Sequence, residues 1–126
     1  MNLGEYFEQT SGRGVLATAD AAGQVNAAIY ARPHFSADGE AVFIMAEHKT
    51  HHNLLSNPSA VYLFMEAGAG FQGRRLYLTK TRDEEDERLV REICQRCDYS
   101  MYDVNTYWVV YFKVDKVLTL VGDTEL

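Results

Sequence analysis

Ala41-Val42-Phe43-Ile44-Met45-Ala46, followed by His48-Lys49-Thr50-His51-His52-Asn53-Leu54-Leu55-Ser56-Asn57-Pro58 and then Ser59-Ala60-Val61-Tyr62-Leu63-Phe64-Met65-Glu66, is the stretch on which the reading of this chain turns. An apolar strand delivers the chain to a cationic turn, a short helix follows, and a proline stops the helix before another strand begins. Taking Thr50 as the helix N-cap leaves the backbone N–H groups of His51, His52 and Asn53 free at the positive end of the helix dipole, and Lys49 adds a full charge beside them. Such a junction is suited to an anion, above all a phosphate.

Outward from this junction the pattern is mostly β. Val15 to Asp20 and Val25 to Arg32 read as antiparallel strands around the short loop Ala21-Ala22-Gly23-Gln24. Pro33 ends the second, and Ala37-Asp38-Gly39-Glu40 turns the chain into the strand at Ala41. Downstream, Arg74 to Thr81 is a further strand. Asp83-Glu84-Glu85-Asp86-Glu87 then supplies acids suited to the first turn of a helix running through Leu89, Val90 and Ile93. Tyr107 to Leu120 reads as one long bent strand or two. Leu3 and Phe7 mark a short amphipathic helix that lids the core, stopped at Ser11-Gly12-Arg13-Gly14. The predicted fold is mainly β with short helices: one domain over residues 1–126, a six-stranded antiparallel split β-barrel of Greek-key type.

Composition narrows the function. The chain has 126 residues, 47% hydrophobic and 24% charged, enough for one core. No apolar run approaches the roughly 20 residues a membrane span requires, so no membrane partner is expected. Met1-Asn2-Leu3-Gly4-Glu5 lacks a basic region leading into an apolar one, and cytoplasmic residence is the expectation. Twelve basic against eighteen acidic residues give a net charge of −6, which argues against a nucleic-acid partner.

Several motifs lose their usual meaning in context. Gly68-Ala69-Gly70-Phe71-Gln72-Gly73 has the letters of a dinucleotide fingerprint, but a strand rather than a helix follows, so it reads as a hairpin loop. Cys94 and Cys97 close a helical run instead of opening one, which makes them reduced structural or surface thiols. His48, His51 and His52 lack a carboxylate or cysteine at ligand spacing, so no metal is expected. No nucleophile elbow, catalytic carboxylate pair or P-loop is present, and no catalytic residue is assigned. Arg74 and Arg75 start a strand after the glycine loop and can reach an anion. Trp108 and its tyrosine neighbours suit a core, a dimer interface or a wall for a planar ring.

The order Asp38-Gly39, the strand through Phe43-Ile44, then His48-Lys49-Thr50, the helix ending Asn57-Pro58 and the strand Val61 to Phe64 resembles the FMN-binding split-barrel family related to pyridoxamine 5′-phosphate oxidase, over about Gly14 to Leu120. The resemblance implies that Lys49 and Thr50 hold the FMN phosphate, with His48 at a position where the family often has serine and Asn53 on the same helix. It implies that Asn26, Ala27, Ala28 and Ile29 line the flavin ring together with Phe43 and Ile44, and that Arg74 or Arg75 takes the place of a flavin-contacting glutamine. It also implies a homodimer with the flavin at the interface, where Trp108 could serve the partner's site. Asn26 stands where the oxidase has arginine, and the C-terminal arginine motif for the substrate's phosphate has no counterpart after Gly122-Asp123-Thr124. The implied protein is therefore an FMN-dependent small oxidoreductase or electron carrier with a redox partner or small-molecule substrate, rather than a vitamin B6 oxidase. The alternative is a split barrel for haem or a deazaflavin, and for haem the candidate axial ligands are His34, His48, His51 and His52. Arg32 and His34, just beyond the ring-lining strand, are placed at a substrate opening.

Overall fold

The computed structural model describes residues 2–93 and 107–126; Cys94 and Cys97 lie outside them. Helix α1 spans Leu3–Gln9, and the Asn2 side chain caps it by accepting from the Glu5 N–H at 2.9 Å. Of the two apolar positions expected to face the core, Phe7 is buried and Leu3 packs partly buried against it, and Tyr6 is buried as well, so α1 lids the core.

Seven strands follow, interrupted by two helices: β1 (Gly12–Ala19), β2 (Val25–Tyr30), β3 (His34–Phe35), β4 (Ala41–Ala46), α2 (Lys49–Ser56), β5 (Ser59–Glu66), β6 (Gly73–Glu84), α3 (Glu87–Ile93) and β7 (Tyr107–Thr119). They form one curled antiparallel sheet in the order β2-β1-β5-β6-β7-β4-β3. The strand beyond the six expected is the two-residue β3, where His34 and Phe35 pair with Val42 and Ala41. Phe35 is held there by stacking on Phe7, ring centroids 6.0 Å apart.

The inner face carries the core. Leu16, Met45, Tyr62, Phe64, Leu76, Leu78, Val110 and Phe112 are all essentially fully buried, and they sit at alternate positions of their strands because side chains in a strand alternate faces. Gly14 is glycine for a packing reason: a Cβ there would lie 2.0 Å from the Tyr62 hydroxyl, which donates to the Tyr30 carbonyl at 3.0 Å. The glycine-rich segment joins β5 to β6 as a hairpin, with Gly68 and Gly70 at φ of 113° and 98°, values that glycine adopts without strain.

Two boundaries differ from expectation. Asp83 and Glu84 belong to β6, paired with Val110 and Val109 of β7, and α3 begins only at Glu87, with the Asp86 carboxylate accepting from the Leu89 N–H at 3.0 Å. The ladder to β7 outcompeted the acids' preference for a helix start. The C-terminal segment is one strand, and β6 accommodates it through irregularities between Tyr77 and Leu78 and between Lys80 and Arg82. No helix of the described residues is long and apolar enough to cross a membrane.

Candidate functional site

Helix α2 starts earlier than the threonine suggests. Its N-cap is His48, whose side chain makes no capping bond, and the first helical bond runs from the His52 N–H to the His48 carbonyl at 3.0 Å. The amides ahead of that bond belong to Lys49, Thr50 and His51, not to His51, His52 and Asn53. Thr50 is 2% exposed inside the first turn, and its hydroxyl accepts from Asn26 Nδ2 at 3.3 Å. A hydroxyl turned inward toward β2 cannot cap the helix. Burial pushes the Tyr30 hydroxyl above its ordinary pKa, and a hydrogen bond with Thr50 opposes that shift.

Around this start His48, Lys49 and His52 are exposed. Asn53 is not: it is 4% exposed, with Nδ2 donating to Thr18 Oγ1 at 3.1 Å, so it fastens α2 to β1. The Asn26–Thr50 bond sets β2 against the same helix turn. Among the described residues strand β2 pairs only with β1 and forms one edge of the sheet. Asn26 and Ala28 are half-buried, Ala27 is exposed, and Val25 and Ile29 are 84% and 77% exposed.

The other expected contacts are dispersed. Phe43 is 3% exposed in the core, whereas Ile44 packs on the opposite side of the sheet with Val42, Val109 and Val90 of α3. Adjacent strand residues point to opposite faces, so the two side chains cannot share one slot. The Arg74 guanidinium lies 3.8 Å from the Tyr6 ring centroid. Arg75 donates from Nε to the Thr119 carbonyl at 3.0 Å and also bonds the Gly122 carbonyl, so it holds the C-terminal turn. Both arginines are in register with Phe64 and Leu63, at the end of the sheet away from α2, where Thr18 pairs with Ala60. Arg32 caps α1 instead of facing an opening, donating to the Phe7 and Thr10 carbonyls at 2.8 Å. The exposed His34 has its pKa lowered by desolvation and by Arg32.

Sequence reasoning missed the cluster behind α2. His51, 1% exposed, places Nδ1 3.0 Å from Glu47 Oε1 and Nε2 3.1 Å from Asp83 Oδ2. Trp108 stacks on the His51 ring at 4.7 Å and donates from Nε1 to Glu47 Oε2 at 2.7 Å. The i,i+4 pair Glu47 and His51 is visible in sequence, but Asp83 and Trp108 come from distant strands. Trp108 therefore offers its face to a histidine.

His51 holds the Glu47 carboxyl below its ordinary range, with further help from its charge and from Trp108. A lowered folded-state pKa means the stabilisation is present above the ordinary carboxylate value of about 4.3 and disappears as pH falls through the folded value. Glu47→Gln is thus expected to show a shallower loss of Tm than the native chain on acidification from about pH 5 to 3, followed by thermal melts; parallel curves would remove this role.

No family model matches the sequence, and no curated protein matches it with significance. Solved structures do match its architecture. An FMN-binding protein from Syntrophomonas wolfei superposes with a TM-score of 0.68 at 18% identity, covering 95% of this chain and 84% of that one. HutZ, the haem storage protein from Vibrio cholerae, gives 0.72 at 15% identity, with coverages of 91% and 90%. An F420 reductase gives 0.73 at 11% identity, with coverages of 90% and 94%. The chain has the pyridoxamine 5′-phosphate oxidase-like split-barrel fold. At these identities the likeness concerns the fold, and three different ligands are named among the relatives. Within the split barrel, the residues that converge are Asn26, Thr50, Lys49 and His48, with the exposed edge of β2 beside them.

Proposed function

We propose that this split barrel binds FMN and acts as a small oxidoreductase or electron-transfer protein. The observation that carries the reading is the Asn26–Thr50 hydrogen bond, which sets an exposed sheet-edge strand directly against a cationic helix start. The amides of Lys49, Thr50 and His51 and the Lys49 ammonium suit the phosphate. The backbone edge of β2, unpaired among the described residues, offers donors and acceptors to the polar rim of a flavin ring, with Ala27 and Ile29 giving it apolar surface. Bound FMN would supply the electron-transfer chemistry, and these residues bind and orient it. Phe43, Ile44, Asn53, Arg74, Arg75 and Trp108 are engaged elsewhere and act through the scaffold.

Of the candidate haem ligands, His34, His48 and His52 are exposed and His51 is engaged. His51, the one buried histidine among the described residues, has both ring nitrogens facing carboxylates, which leaves no nitrogen for iron unless those bonds break. A homodimer belongs to the same reading. The outer sheet face exposes Val25, Ile29 and Met65, and a shallow pocket of about 250 Å³ lies beside Ala17, Val61, Tyr77 and Thr79. Exposed apolar surface of this kind is what a second copy would cover while walling the flavin.

The test is an absorbance and fluorescence titration of the purified chain with FMN, alongside haem and F420, with mass measured by light scattering. The expected result is a yellow dimer binding one FMN per chain. A monomer would remove the dimer, and a chain that takes up haem or F420 but leaves FMN fluorescence unchanged would overturn the flavin assignment.

A further inference from the structure

The start of α2 combines two features that rarely coexist. Its N-cap side chain makes no capping bond, so a first-turn stabiliser commonly worth about 1 kcal/mol is missing. Yet the turn must keep one geometry if its free amides are to meet an anion. The fixing comes from behind the helix. Glu47, one residue before the cap, has one carboxylate oxygen on His51 Nδ1 at 3.0 Å and the other on Trp108 Nε1 at 2.7 Å. His51 in turn has Nε2 3.1 Å from Asp83 Oδ2, and Lys80 Nζ lies 3.4 Å from the same oxygen. The network thereby links the helix start to the end of β6 and the start of β7.

We infer that His51 is a positioning residue: its bridge from Glu47 to Asp83, with Trp108 stacked on it, locks the first turn of α2 in place of a cap and leaves the amides of Lys49, Thr50 and His51 open for a phosphate. A serine or aspartate cap would hold the turn by occupying an amide. This bridge holds it without touching one. Each ring nitrogen of His51 meets a carboxylate oxygen, so the imidazole spans the two acids from opposite edges. The Lys80 ammonium also faces Asp83, while His48, Lys49 and His52 remain on the solvent side of the helix.

The phosphate half of the inference rests on the FMN reading; the positioning half does not, and the experiment separates them. In the ligand-free chain, His51→Gln is expected to speed amide hydrogen exchange over residues 47–52 by about tenfold or more while the β5 amides keep their native rates. In ligand titrations it is expected to weaken FMN about tenfold and riboflavin by less than about twofold, because only FMN carries the anchored phosphate. Asp83→Ala, on a partly exposed strand end, should loosen the same turn in a chain that still folds. Asp83→Asn should stay native-like in both measurements, since a neutral His51 can donate to Glu47 and accept from the new amide. Native exchange rates at 47–52 in both His51→Gln and Asp83→Ala would overturn the positioning role. Equal weakening of FMN and riboflavin would overturn it too, by revealing general destabilisation. A loosened turn in a chain whose native form ignores FMN would leave the bridge standing and remove the flavin.

Discussion

Phe43→Ala is expected to lower the unfolding free energy by about 3–5 kcal/mol, the usual cost of deleting a fully packed aromatic side chain. Phe43 is 3% exposed, with its ring centroid 5.0 Å from Tyr62, 5.7 Å from Phe112 and 6.2 Å from Tyr30. Its neighbours are themselves rings fixed from other strands, so they cannot collapse into the space left behind, which places the cost toward the upper end. Domains of this size are stable by about 5–15 kcal/mol, so the loss is a large fraction of the total. Urea unfolding would show it as a midpoint lowered by about 2 M at unchanged slope. The folded fraction should bind FMN with nearly native affinity, because the side chain is buried in the core and not on the exposed edge of β2. A variant of native stability that had lost FMN would put Phe43 at the ring after all.

That contrast shows what kind of information the sequence carried. Alternating apolar positions and turn residues were enough to place most strands, because burial on one face imposes a period of two irrespective of partners. The family likeness correctly pointed to the fold through the strand-turn-helix-proline order around His48 to Pro58. What could not be read was which of several competing partners each polar group takes. Thr50 looks like a cap until Asn26, 24 residues earlier, claims its hydroxyl. Asp83 looks like a helix-start acid until β7 pairs with it and His51 bonds it. Arg74 and Arg75 look free until Tyr6 and the C-terminal turn engage them. The strands could be inferred locally; these competitions are decided by residues tens of positions away.

Lys49→Ala is expected to weaken FMN by about 1.5–3 kcal/mol, roughly 10- to 100-fold, the size of a lost charge-assisted hydrogen bond. Lys49 occupies the first position of α2, is exposed, and sits on a turn whose own amides remain outside the helical ladder. Riboflavin carries the same ring without the phosphate, so its affinity should change by less than about twofold. The two ligands together divide the site: a loss confined to FMN locates the phosphate at α2, whereas an equal loss for both would move it elsewhere in the barrel. Because the ammonium is solvated, raising salt from about 0.05 to 0.5 M should shrink the difference between native and variant chains as the Debye length falls below 10 Å. A salt-independent difference would instead mean that Lys49 packs against the ligand through its alkyl stem, and the anion would then be held by the backbone amides of Lys49, Thr50 and His51.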